Sequence, residues 1–271
     1  MPLFSFSYSM HLSMTSPVTR HNYALRCLPP DTARQTVSGV HYTVLGDEKP
    51  SHSFDSFGNP LLTGYIERPH AAFGFSVKGT AELRPDVFDQ SPDTALYRYE
   101  SEQTRPGLAL TALHDSLISL PGDGMGFVPD SSPAARAFAM MHAVYARMQY
   151  QPGATFVSTT AEQALTGGAG VCQDYVHILL ALCRMERIPA RYMAGLMGGE
   201  GATHAWCEVW HDGTWYPIDP THDCPALIGY LELAHGRDAA DCPLDRGIWY
   251  GCTTQSQTVT ATLSPVPQST E

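Results

Sequence analysis

The chain changes its hydrophobic period once along its length, and that change limits what it can fold into. Phe4, Phe6, Tyr8, Met10, Leu12 and Met14 occupy every second position, which puts all of them on one face of a β-strand. Tyr23, Leu25 and Cys27 repeat the alternation until Pro29-Pro30 stops it. Further strands are expected over Val37–Leu45, Leu61–Arg68, Ala72–Val77 and Ala81–Leu83. Turn-forming stretches such as Asp55-Ser56-Phe57-Gly58-Asn59-Pro60 separate them. A bridge rich in Pro, Gly and Asp follows from Pro85 to Ser132, with a short helix expected around Ala109–Ile118.

From Ser132 the pattern turns helical. Ser132-Pro133 is a helix start, and Phe138, Met141, Val144, Tyr145 and Met148 recur at helical spacing behind it. A short helix over Thr160–Leu165 ends at Gly167-Gly168. The next helix, Val171 to Arg187, carries Val176, Leu179, Leu180 and Cys183 on one stripe and Cys172 on its first turn. Strands are then expected over Ala190–Leu196, Ala202–Trp210 and Thr214–Ile218, and the alternating tail Gln257–Leu263 reads as a closing strand.

Asp212-Gly213 is the pair that favours a two-residue type I′ hairpin turn. With that turn, Trp210 faces Trp215, Glu208 faces Pro217 and Trp206 faces Asp219. His204 then lies diagonal to Asp219 on the same face, within reach of a side-chain contact. Ala205, Cys207, Val209, Tyr216 and Ile218 take the other face, a good packing set.

This geometry matters for chemistry. Cys172 follows a glycine-rich turn and opens an apolar helix, where the positive end of the backbone dipole favours charge on sulfur. A helix terminus docked on the His204 face would bring thiol, imidazole and carboxylate together: Cys172 as nucleophile, His204 as base, Asp219 as the group that orients it. Other titratable residues have plainer readings. Cys183 and Cys207 lie on packing faces, Asp174 caps the helix start, and Arg191, Arg237, Asp238 and Asp241 form ion pairs around the site. The scattered His21, His41, His52 and His70 suggest no chemistry. His204, Cys207, His211, His222 and Cys224 cluster in sequence as metal ligands would, but alternation separates His204 from Cys207 and no Cys-x2-Cys pair is present. Neither a metal nor a cofactor is expected.

The net charge of −11, from 16 basic and 27 acidic residues, argues against a nucleic-acid groove. Seven cysteines at irregular spacing do not read as a disulfide framework. The first residues lack the basic start and apolar run of a signal peptide, and no stretch is apolar for long enough to span a bilayer. A cytoplasmic protein with no membrane partner is expected, while the oligomeric state is not written in the sequence.

Four motifs in order resemble the bacterial transglutaminase-like cysteine protease family: Gly170-Val-Cys-Gln-Asp-Tyr175, Arg187-Ile-Pro-Ala-Arg-Tyr192, Thr203-His-Ala-Trp-Cys-Glu-Val-Trp210 and Trp215-Tyr-Pro-Ile-Asp-Pro-Thr-His222. The segment His235 to Gly247 is similar to the C-terminal motif of its bacterial members, and Asp55 to Asn59 to part of the β domain often fused to them. The resemblance covers residues 130–255 most strongly. It implies an α+β fold: an N-terminal β-sandwich-like domain (1–110), a linker (111–131), and a papain-like core (132–271) that includes the C-terminal strand. In that core, a helix carrying Cys172 packs on an antiparallel sheet carrying His204 and Asp219. The implied activity is thiol-dependent hydrolysis of a peptide or protein amide through a thioester. The alternatives are acyl transfer to an amine, as in a transglutaminase, and a non-catalytic binding module. An aromatic residue often assists the oxyanion in such enzymes; Tyr150 and Trp206 are the candidates here.

Overall fold

The alternation that begins at Phe4 runs on to Leu25 as one strand of 23 residues, β1 (Leu3–Leu25), where two strands were expected. The computed structural model describes residues 2–47, 49–119 and 131–267. β1 survives Pro17 because its pairing shifts there: the register breaks between Ser13 and Val18, and Arg20 takes a positive φ of 52°. Its first half pairs with β5 (His70–Leu83), its second with β4 (Pro60–Ile66). One strand thus serves two layers. β2 (Gln35–Val44) flanks β5, and a strand the sequence did not announce, β3 (Ser51–Phe54), flanks β4. The two strands expected within 72–83 are continuous in β5.

The inward residues of β1 from Phe4 to Met14 are all buried, against Phe73, Phe75, Val77 and Leu83 of β5. Leu196, Leu231 and Leu233 of the second sheet join this cluster, so the two halves share a core.

The second half is helical around one sheet. α1 (Leu108–Ser119) occupies the first part of the expected linker; residues 120–130 of that linker lie outside the described residues. α2 (Pro133–Arg147) starts as its sequence predicts, with Ser132 Oγ accepting from Ala135 N at 3.2 Å. β6 (Gln149–Tyr150) leads toward α3 (Ala161–Gly167), which opens with a reciprocal capping box between Thr160 and Gln163 and ends at Gly168 with φ 68°. β7 (Ala169–Gly170) then pairs parallel to β6 and feeds α4 (Cys172–Met185).

β8 (Ala190–Met197) follows α4. The strand expected from Ala202 begins at the histidine as β10 (His204–His211), and a short strand outside the expected ones, β9 (Gly199–Gly201), precedes it and pairs with the first sheet. β10 and β11 (Thr214–Asp219) meet in the expected register, with Trp210 opposite Trp215 and Glu208 opposite Pro217. Positive φ at Asp212 (49°) and Gly213 (78°) is what the I′ turn requires. With β12 (Cys224–Pro225) and β13 (Tyr230–Gly236), these strands form a sheet of order β12-β11-β10-β8-β13. α4 packs on the face bearing Ala205, Cys207, Val209 and Ile218.

The last two strands, β14 (Asp245–Tyr250) and β15 (Gln255–Pro265), return to β1 and complete the first sheet, from Phe4 opposite Pro265 to Met14 opposite Gln255. The tail therefore belongs to the N-terminal layer and not to the core with which its sequence position groups it. Alternation declares a strand but does not name its partner.

Side chains from the first half grip the backbone of the second. Asn59 donates to His235 O at 2.8 Å and accepts from His235 N at 2.9 Å. Gln35 makes the same two-way bond with the Glu232 backbone, at 3.0 and 2.8 Å. Arg34 donates to the carbonyls of Ala226 and Leu227. No helix among the described residues is long and apolar enough to cross a membrane.

Candidate active site

Cys172 is the first residue of α4, and its placement depends on the turn before it. Asp174 folds back so that Oδ2 accepts from Val171 N and from Thr155 Oγ1, both at 2.7 Å, which caps the helix as expected. A Cβ on Gly170 would lie 2.5 Å from that carboxylate, so the fold-back requires glycine there. Asp174 is buried, and burial pushes its carboxyl up against the opposing hydrogen bonds. Asp174 N in turn donates to Val171 O at 2.8 Å, so one of the amides that open α4 is closed on the cap.

His204 opens β10 and Asp219 closes β11, so the hairpin brings both to one end of the sheet. His204 Nε2 lies 2.8 Å from Asp219 Oδ2. A carboxylate only accepts, so Nε2 carries a proton toward it and Nδ1 is the ring's other nitrogen. Asp219 is fully buried and its oxygens are all engaged: Oδ2 also accepts from Tyr230 OH and His222 Nδ1, each at 2.8 Å, and Oδ1 accepts from Thr221 N at 2.8 Å. Burial alone would raise this carboxyl; the hydrogen bonds from His204, His222 and Tyr230 prevail and hold it at about 2. Burial likewise opposes charge on His204, but Asp219 and the neighbouring Cys172 outweigh it and raise the imidazole to about 9. His204 and Asp219 are thus paired, with a carboxylate that stays charged and an imidazole that favours its proton.

Trp206 lies beneath this group, buried and edge-on to Tyr230 at 5.4 Å between ring centres. Its ring passes over Gly195, where a Cβ would come within 2.7 Å of it. Tyr150 stands half-exposed beside Gly170, in the β6–β7 pair that leads to Cys172. Burial and the nearby Cys172 both raise its hydroxyl.

Cys207 is buried against α4, whereas Cys224 lies opposite Asp219 in the β11–β12 pair with its Sγ 4.0 Å from the Tyr230 hydroxyl, beside the group formed by His204, Asp219 and His222. Those three offer atoms within 4.8 Å of one another, as a metal site would. Asp219 Oδ2 already accepts from His204, His222 and Tyr230, so a metal ion bound at that oxygen would have to displace these hydrogen bonds. Arg191 pairs with Glu208 (2.5 Å) and Asp89 (2.7 Å) and stacks over Trp215, while Arg237 pairs with Asp241 at 2.7 Å. Asp238 caps its own turn through Ala240 N. Tyr230 escaped sequence reasoning altogether. It follows Gly229 in an irregular stretch, and only the pairing of β13 with β8 carries it to Asp219.

The chain matches the family model of the transglutaminase-like superfamily over residues 127–220, and that of the bacterial transglutaminase-like N-terminal region over residues 5–82. An uncharacterized protein of Mycobacterium tuberculosis is 31% identical over 275 residues, covering 87% of this chain and 84% of the relative. The chain belongs to the transglutaminase-like superfamily. An uncharacterized protein of Mycobacterium leprae is 26% identical over 253 residues, covering 87% of this chain and 89% of its own length. Among solved structures, a Cytophaga hutchinsonii protein named "putative cysteine protease" superposes with a TM-score of 0.75 at 21% identity, covering 100% of this chain and 92% of that one. That likeness extends the shared fold, N-terminal β layer and transglutaminase-like core together, across the whole chain.

Proposed function

We propose that this protein is a thiol-dependent amide hydrolase with Cys172 as nucleophile, His204 as general base and acid, and Asp219 as the orienting carboxylate. The observation that carries this reading is the buried His204–Asp219 pair, 2.8 Å apart, together with a neighbouring thiol on the first turn of a helix that helps raise the imidazole. His204 takes the thiol proton, and the thiolate attacks the amide carbon while the carbonyl pair moves to oxygen. The Cys172 amide and the Tyr150 hydroxyl are the donors we assign to that oxyanion; burial of Trp206 beneath Tyr230 favours Tyr150 over it. Collapse expels the amine, which takes its proton from His204, and leaves a thioester. Water, deprotonated by His204, then releases the acid and restores the thiol. An amine in place of that water would give transfer, and the product tells the two apart. All seven cysteines are unpaired, which supports a reducing compartment, and we place the protein in the cytoplasm.

The test is alkylation of each cysteine by limiting iodoacetamide across pH, read by mass spectrometry in wild type and His204→Ala. Cys172 should react first at neutral pH and lose that lead without His204. Reaction no faster than that of exposed Cys252 would overturn the reading. Cys172→Ala should abolish turnover of any amide the wild type cleaves, by about 10⁴-fold or more.

A further inference from the structure

The loop between β6 and α3 exposes two bulky apolar side chains beside the first turn of α4. Phe156 is 79% exposed and Val157 82%. Keeping such side chains in water forgoes the free energy of burying them, and a slack loop would turn them inward. This loop is not slack. Gln151 N donates to Gly170 O at 2.8 Å, and Thr155 Oγ1 to Asp174 at 2.7 Å. Gln103 and Gln173 both donate to Val157 O, at 2.9 and 3.3 Å. Phe156 and Thr159 close the turn on each other, with Phe156 N donating to Thr159 Oγ1 and Thr159 N to Phe156 O, both at 2.9 Å.

Gln173 and Asp174 directly follow Cys172, so the loop is tied to the thiol's own helical turn. Against it lies a cavity of about 480 Å³ lined by Thr155, Phe156, Ser158, Gln163 and Ala169 among others, with no charged side chain in its wall. An uncharged wall disfavours a charged occupant, which would lose its hydration there without a partner. The anchored backbone means that binding need not order the loop.

We propose that this loop is the subsite that receives a bulky apolar side chain, the size of leucine or phenylalanine, from a peptide whose neighbouring amide is presented to Cys172. This rests on the reading of Cys172 as the nucleophile. An occupant joined to an amide at Cys172 is the one that the tie between loop and helix selects.

The experiment compares alkylation of Cys172 in the full-length chain by iodoacetamide and by short peptidyl chloromethyl ketones carrying Leu, Phe, Ser or Asp. The variants are Phe156→Ser, Val157→Ser, the double substitution and Phe156→Leu, all at exposed positions. Wild type should prefer the Leu and Phe probes by about tenfold or more over Ser and Asp. The double variant should lose most of that preference and Phe156→Leu should keep it, with the iodoacetamide rate unchanged throughout. Absence of a preference in wild type, or its survival in the double variant, would overturn the subsite. Slow labelling of Cys172 by iodoacetamide itself would overturn the nucleophile and the subsite with it, and that reagent alone reports it.

Discussion

The two sheets of this protein share a strand-by-strand style of construction and bury opposite kinds of residue. Around β1 the inward positions are Phe, Tyr, Met, Leu and Val; among the described residues, the buried polar side chains there are His21, Gln35 and Asn59. Gln35 and Asn59 turn toward the other half and hold its backbone. In and around the second sheet, Asp174, His177, Arg184, Arg191, His204, Glu208, Asp219 and Asp238 are all buried. Several polar atoms there go unpartnered, including Asp174 Oδ1, His177 Nδ1 and, beside them, Trp206 Nε1. Burying such groups costs free energy unless each finds a partner. An apolar layer that needs no such partners can serve as the frame for one that does. The comparison assigns stability to the first sheet and chemistry to the second, and it can be broken from either side.

The largest effect is expected in the second sheet. Asp219→Asn keeps the shape but replaces an acceptor-only group with one that can also donate, so His204 loses both its tautomer and its counter-charge. Activity should fall roughly 10⁴-fold. The pH profile should move as well. The wild-type imidazolium is retained until pH rises through about 9, because Asp219 and Cys172 hold the proton against burial. Without the carboxylate that alkaline limb moves to lower pH. A loss of less than tenfold, with the limb in place, would mean that the buried carboxylate does not set the chemistry.

The frame is tested by Asn59→Ala. The side chain satisfies both His235 N and His235 O, and its removal leaves two half-buried backbone groups without that partner. Unfolding in urea should show a loss of about 3 kcal/mol. The pH dependence of Cys172 alkylation should not change, because Asn59 touches neither His204 nor Asp219. A variant of unchanged stability but altered Cys172 reactivity would reverse the assignment of roles.

What could be read from the sequence follows the same division. Local chemistry was legible: the Asp212-Gly213 turn set the hairpin register, Ser132 and Thr160 set helix starts, and the glycine run placed Cys172 on its helix. These depend on residues a few positions apart. Partner choice was not legible. The tail alternates as clearly as β1 does, yet nothing in its spacing says that it pairs with β1 from Phe4 to Met14 and not with the core sheet. β9, between the two expected strands, carries no alternation that announces it, and only its pairing with β15 makes it a strand. In the site, His204 and Asp219 were found because one hairpin carries both. Tyr230 was not, because a strand from across the sheet delivers it.

Tyr230 is therefore the finest test of the comparison. Its hydroxyl donates to Asp219 Oδ2 at 2.8 Å, and its ring packs edge-on against Trp206. Tyr230→Phe keeps the packing and removes one donor from a carboxylate that retains His204, His222 and Thr221. A single hydrogen bond to a charged group suggests a loss of about 1.5 kcal/mol, or roughly tenfold in kcat/KM. The loss should deepen as pH falls. Asp219 is held at about 2 partly by this hydroxyl, so with one donor fewer it takes up a proton at higher pH, and His204 loses its partner sooner. A uniform loss across pH would make Tyr230 a packing residue. A loss that grows toward acid would show that polar groups reaching Asp219 from separate strands act as one unit in the second sheet.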